Sequence, residues 1–262
     1  MKKIIYAFRF LTIIPVKWKQ GEDMGEVARS ISFFPIVGIV IGISNIAVYY
    51  LSNMFFSPLF TSVAVIVWWI VITGGLHLDG LADTSDGVWG GTTKERRLEI
   101  MKDSRTGVFG VLKLVSFILL KDVIVHEIIL LNHKTVYSIL LLAPVIGRWI
   151  SVISIFFFKS AKEDGLGHFF KENIGKKELV TAFLLTSIII YLIAGLGSFI
   201  ILFSVSIISV LVSLFFCTKL GGLTGDIYGT LCESSELLSL FAGLILFLSG
   251  LLNGGIIFSQ AW

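Results

Sequence analysis

Long apolar runs alternate with short polar segments along this chain, and their spacing predicts the architecture. Runs fall at about 31–51, 59–76, 107–131, 135–158, 179–196, 198–217 and 237–258. Each approaches or exceeds the ~20 apolar residues needed to cross a bilayer as a helix. The prediction is an all-α polytopic membrane helical bundle with about seven transmembrane helices, in a single integral membrane domain over residues 1–262. The run at 107–131 is the most interrupted, by Lys113, Lys121, Asp122 and Glu127. Such residues are expensive in lipid and should face the bundle interior or pair with one another.

Ahead of the first run, Ile4, Phe8 and Leu11 share one helical face, with Lys2, Lys3 and Arg9 available to headgroups. This spacing predicts an N-terminal amphipathic helix, ended by Pro15, that either lies in the membrane interface or packs onto the bundle. A cleaved signal peptide is not expected, because Arg9 breaks the apolar run and charges follow it. Residues 1–30 are therefore read as an interfacial segment.

Composition agrees. The chain is 55% hydrophobic and only 15% charged, with a mean hydropathy of +0.92, whereas soluble domains run near a quarter charged. The net charge of +3 matters less than where it falls. Segments 1–30, 77–106, 159–178 and 218–236 hold 6, 5, 5 and 1 Lys or Arg, 17 of the 21 in the chain. The positive-inside rule then places these segments and the N-terminus on the cytoplasmic side of the cell membrane. No basic stripe interleaved with aromatics suggests nucleic-acid binding. Cys217, at a span end, and Cys232, expected in a loop, make no metal or disulfide pattern.

The polar chemistry concentrates between Gly74 and Gly110, in GGLHLDGLADTSDGVWGG followed by TTKERRLEIMKDSRTGVFG. Asp79, Asp83 and Asp86 are spaced i, i+4, i+7, one face of a helix. Three carboxylates on one face repel unless a cation sits between them, and all-oxygen ligands favour Mg²⁺. Downstream, Lys102, Asp103, Ser104 and Arg105 offer two cations, a carboxylate and a hydroxyl. Arg suits bidentate phosphate contacts and Lys acts as a point charge. A second constellation, GGLTGDIYGTLCE from Gly221 to Glu233, supplies Thr224, Asp226 and Glu233, with glycines that allow close approach to a phosphate. Neither glycine-rich stretch fits a P-loop or a dinucleotide fingerprint. Arg148 falls inside a span, where it either pairs with Asp122 or Glu127 or reaches a substrate. His77 sits two residues before Asp79, as an interfacial histidine or a base.

These motifs resemble the cobalamin synthase family, also called adenosylcobinamide-GDP ribazoletransferase. GGLHLDGLADTSDG, IMKDSRTGVFG, Gly147-Arg148 and GGLTGDIYGTLCE carry the likeness, and FRFLTIIPV looks like the family's N-terminal segment. Ser85 and Thr230 depart from it, where alanine-like residues are expected. The resemblance implies a Mg²⁺-dependent membrane phosphotransferase of late cobalamin biosynthesis. It would join adenosylcobinamide-GDP to α-ribazole or its 5′-phosphate and release GMP. On that reading Asp79, Asp83 and Asp86 are metal ligands, with Asp226 and Glu233 as further contributors. Asp103 or His77 would be the base, with Arg105 also placed in the catalytic set. Lys102, Ser104, Arg105, Arg148 and Thr224 would hold substrate. Two alternatives stand beside this: a CDP-alcohol type of membrane phosphotransferase, although the AR expected after DG is absent at Ala82-Asp83, and a cation transporter.

Overall fold

The structure, a computed structural model, describes residues 2–15, 23–131, 133–163 and 165–251. Among them are twelve α-helices and no strands: α1 (Lys2–Leu11), α2 (Met24–Arg29), α3 (Phe34–Asn53), α4 (Pro58–Thr73), α5 (Leu76–Gly90), α6 (Lys94–Ile100), α7 (Val108–Ile129), α8 (His133–Phe157), α9 (Leu166–Asn173), α10 (Lys176–Ala194), α11 (Ser198–Leu220) and α12 (Gly225–Leu248). The all-α membrane bundle expected from the hydropathy pattern is thus what the chain forms. Five helical segments, containing α3, α8, α10, α11 and α12, are long and apolar enough to span. A sixth is met only by α4 and α5 together, and that pair is bent by 90°. The remaining expected span, α7, has the length at 22 residues but carries the four charges named above.

Helix α8 is the axis of the bundle, almost wholly buried between α3 and α12. Small residues make this possible, because helices in a bilayer associate through close packing rather than through a hydrophobic drive. A Cβ on Gly38 of α3 would lie 2.6 Å from the Pro144 carbonyl oxygen, so any side chain there would force α3 off α8. Helix α1 docks on this core and does not lie free in the interface. Ala7 and Leu11 are buried, and Phe10 packs on Phe34 and Phe170 with ring centroids 5.9 and 5.1 Å apart.

Two features position the polar residues. Gly74 and Gly75 both take positive φ, 62° and 68°, a conformation open to glycine at little cost. This pair ends α4 and turns the chain by a right angle into α5. Helix α4 is only 16 residues long, about 24 Å at 1.5 Å per residue, less than the ~30 Å hydrocarbon core. The acidic helix α5 then packs against α12 and α7.

The second feature is α12, which begins at Gly225, far ahead of the expected start at 237. Its first four turns carry Asp226, Glu233 and Glu236, which lower local hydropathy and hide the span from an apolar window. Cys232 consequently lies buried in α12 and not in a loop. The expected extension of this span beyond residue 251 lies outside the described residues.

Candidate active site

A cavity of about 320 Å³ opens among α1, α5, α12 and the 159–170 segment. Its walls draw on all four segments that the charge distribution assigns to one membrane side: Phe10 and Leu11, His77 and Asp79, Lys162 and His168, Thr224 and Asp226. The acidic wall exists because α5 and α12 touch through backbone. A Cβ on Gly80 would lie 2.6 Å from the Asp226 carbonyl oxygen, and one on Gly229 would lie 3.1 Å from the His77 Cα. Thr230 Oγ1 bridges the crossing, 3.1 Å from the Gly80 carbonyl and 2.9 Å from Thr84 Oγ1. The hydroxyl at this family-departing position thus ties the two acid-bearing helices together.

On α5 the predicted helical spacing holds, but the three carboxylates part company. Asp79 is exposed to the cavity, and Asp83 is half-buried one turn on. Asp83 feels the like charges of Asp79, Asp226 and Asp86. Asp86 is buried and has other work. Its Oδ2 accepts from the Gly107 amide at 2.7 Å and its Oδ1 from the Gly110 amide at 2.8 Å. These are orphan donors at the start of α7, and a carboxylate there also suits the helix dipole. Asp86, expected as a metal ligand, has both carboxylate oxygens engaged in this capping role.

Thr224 is the N-cap of α12. Its hydroxyl accepts from the Ile227 amide at 3.4 Å and lies 3.2 Å from Asp226 Oδ2, so it orients that carboxylate. His77 is buried against the cavity, and its Nδ1 has no hydrogen-bond partner among the described residues.

Glu233 and Arg148 do not reach this cavity. Lys121 Nζ donates to Glu233 Oε2 at 3.0 Å and to Glu236 Oε2 at 2.8 Å, and Arg148 Nη1 donates to Glu236 Oε1. All four side chains are buried, with Lys121 also 4.0 Å above the Trp69 ring. Two acids and two cations neutralise one another here, as charges in a low-dielectric interior must. Glu233 and Arg148, expected as metal ligand and substrate contact, are engaged in this network here. Its organiser, Glu236, was not singled out from the sequence, whereas Lys121 was expected to face the bundle interior or to pair, as it does. The signal for Glu236 was its place near Glu233 at the edge of the predicted 237–258 span, with the cations Lys121 and Arg148 inside other spans. Arg148 pairs with Glu236 in place of the expected Asp122 or Glu127.

Lys102, Asp103, Ser104 and Arg105 form an exposed loop on the far side of Asp86. Asp103 and Arg105 line a separate cleft with Asp86 and Glu99. Arg105 Nη2 and Nε donate to Asp103 at 2.7 and 3.0 Å, and these bonds hold the Asp103 carboxyl at about 2. A carboxylate so stabilised is a weak proton acceptor. Lys162 and His168 do line the main cavity and were missed, because 159–178 reads only as a basic loop.

The donors fit Mg²⁺ in kind but are few. Among the described residues no three His, Cys, Asp or Glu side chains are arranged to hold a metal ion. Mg²⁺ is commonly held by one or two carboxylates, with substrate phosphates and waters completing the shell, and Asp79 and Asp226 present such a pair.

Fold and site together define a polytopic membrane protein whose acid-lined cavity gathers the polar segments of one side. The chain belongs to the cobalamin-5-phosphate synthase family, whose model matches residues 3–244. Among curated relatives it is similar to the adenosylcobinamide-GDP ribazoletransferase of Roseiflexus sp. (strain RS-1), 38% identical over 89% of this chain and 86% of the relative. Likewise, it is 35% identical to that of Thermoanaerobacter sp. (strain X514), over 92% and 96%, and 36% identical to that of Clostridium acetobutylicum, over 90% and 92%. No solved structure matches.

Proposed function

We propose that this chain is a membrane adenosylcobinamide-GDP ribazoletransferase whose reaction takes place in the α1/α5/α12 cavity. A hydroxyl of α-ribazole, or of its 5′-phosphate, attacks the phosphorus bonded to the cobinamide arm. The new P–O bond forms as the bond from that phosphorus to the bridging oxygen breaks. GMP departs with the bridging oxygen, leaving adenosylcobalamin or its 5′-phosphate. Such transfers depend mostly on positioning and on neutralising charge.

The observation that carries this reading is the joining of Asp79 and Asp226, from helices far apart in sequence, on one cavity wall. With Asp83 beside them, these carboxylates would hold Mg²⁺. When bound, the ion would neutralise charge on the diphosphate oxygens. Thr224 fixes Asp226, and Asp86 fixes the start of α7 next to α5. His77, a buried imidazole at the cavity wall with an Nδ1 unpartnered among the described residues, is the candidate to take the hydroxyl proton, since a neutral imidazole accepts at one ring nitrogen. The cavity would open to the cytoplasm, where the positive segments lie.

A cation-conducting reading loses its pathway, because Glu233 and Glu236 are taken up by Lys121 and Arg148. Asp79→Asn and Asp226→Asn test the proposal. Each should insert normally and lose roughly a hundredfold or more in GMP release, the scale of removing a group that stabilises transition-state charge. Turnover at the parent rate in both variants would refute the assignment.

A further inference from the structure

Sequence reading supplied the diphosphate's cations from Lys102, Arg105 and Arg148. The structure places the first two on an exposed loop and the third in a buried ion-pair network that does not line the cavity, which leaves the acidic cavity without those cations. Lys162 is there. It is half-buried, lines the cavity with Asp79 and Asp226, and takes part in no ion pair among the described residues. Its charge nonetheless reaches both Asp226 and Asp83, so it lies within electrostatic range of the carboxylates.

The backbone holds it in place. Residues 159–161 pair with the segment before α12 through an isolated bridge: Ala161 N–H donates to the Leu223 carbonyl at 2.8 Å, and Leu223 N–H to the Lys159 carbonyl at 2.9 Å. Ser160 Oγ then closes a turn onto the Lys162 carbonyl at 2.7 Å. The bridge needs Gly222, where a Cβ would fall 2.7 Å from Ala161 N and from the Lys159 oxygen. Gly222 therefore admits the 159–161 backbone, and that contact brings Lys162 into the cavity lined by Thr224, Gly225 and Asp226 at the start of α12.

We propose that Lys162 is the protein's direct ligand for the substrate diphosphate, set against Asp79 and Asp226 by the bridge between residues 159–161 and Leu223. The inference rests on the transferase reading for the substrate's identity, though not for the anion site. Two carboxylates and a metal ion on one wall would fix one side of a diphosphate. An ammonium opposite would take the remaining oxygens and offset the charge that builds on GMP as it leaves.

The test compares the parent with Lys162→Ala, Lys162→Arg and Gly222→Ala in detergent, each first shown to be folded by thermal unfolding. Two readouts are taken: steady-state GMP release, and equilibrium binding of GDP with Mg²⁺. Lys162→Ala should weaken GDP binding and lower kcat/KM about tenfold or more, and Lys162→Arg should recover most of both, because a charge-assisted phosphate contact follows the cation. Gly222→Ala should act in the same direction with every charge in place. GDP binding and kcat/KM in Lys162→Ala within about twofold of the parent, or an equal loss in Lys162→Arg, would overturn the proposal. An inactive parent would count against the transferase reading alone, since GDP binding tests the Lys162 site whatever the turnover.

Discussion

Gly80 lies so close to Asp226 that a Cβ at residue 80 would stand 2.6 Å from the Asp226 carbonyl oxygen and 2.9 Å from its Cα. This contact brings the acidic motif of α5 to the acid at the start of α12, across 146 residues of sequence. Gly80→Ala should therefore pry apart the two helices that form the acidic wall. Overpacking of this kind costs about 1–3 kcal/mol, which a bundle of this size would survive. Activity should fall far more than stability, as seen by comparing GMP release with thermal unfolding. Parent-like turnover would mean that the crossing can relax without disturbing the site.

The positions of most spans were legible because lipid demands continuous apolar length, and the acidic helix because its aspartates repeat at i, i+4, i+7. Their partners were not legible. Asp86 shares the face of Asp79 and Asp83 in the helical pattern, yet nothing local shows that the amides of Gly107 and Gly110 will meet it. The same holds for Glu233, whose spacing from Asp226 fits a shared face while its carboxylate is claimed by Lys121 from α7. The start of α12 was missed for a related reason. Its polar residues are satisfied by other helices, which hydropathy along one chain does not register. Thr230 reads as a minor departure from the family pattern, but it sits at the α5–α12 crossing.

The buried network predicts an asymmetry between its two acids. Glu236 accepts from both Lys121 and Arg148, whereas Glu233 accepts from Lys121 alone. Glu236→Ala takes from Arg148 its only carboxylate partner among the described residues, and removing one partner of a buried pair costs about 3–5 kcal/mol. Glu233→Ala should cost less, since Lys121 keeps Glu236. Thermal unfolding in detergent would show the order, and equal stability of both variants with the parent would contradict the network's role.

Asp103 gives a prediction in pH. Its bonds to Arg105 depress the carboxyl to about 2, below the ordinary aspartate value of about 3.9. The stability this pair contributes is thus present above the unfolded value and lost only as pH falls through about 2. Across about pH 5–9 the group stays ionised, so the pH–rate profile should carry no limb from it. Asp103→Asn should leave the shape of that profile unchanged. Loss of an acid limb on this substitution would restore Asp103 as the base.

The most direct measurement of the central claim is GMP release by the purified protein supplied with adenosylcobinamide-GDP and α-ribazole, with Mg²⁺ present or removed by a chelator. The account predicts release that needs both substrates, stops on chelation and returns when Mg²⁺ is restored. Folded protein that releases no GMP, or releases it equally well without a divalent ion, would contradict it.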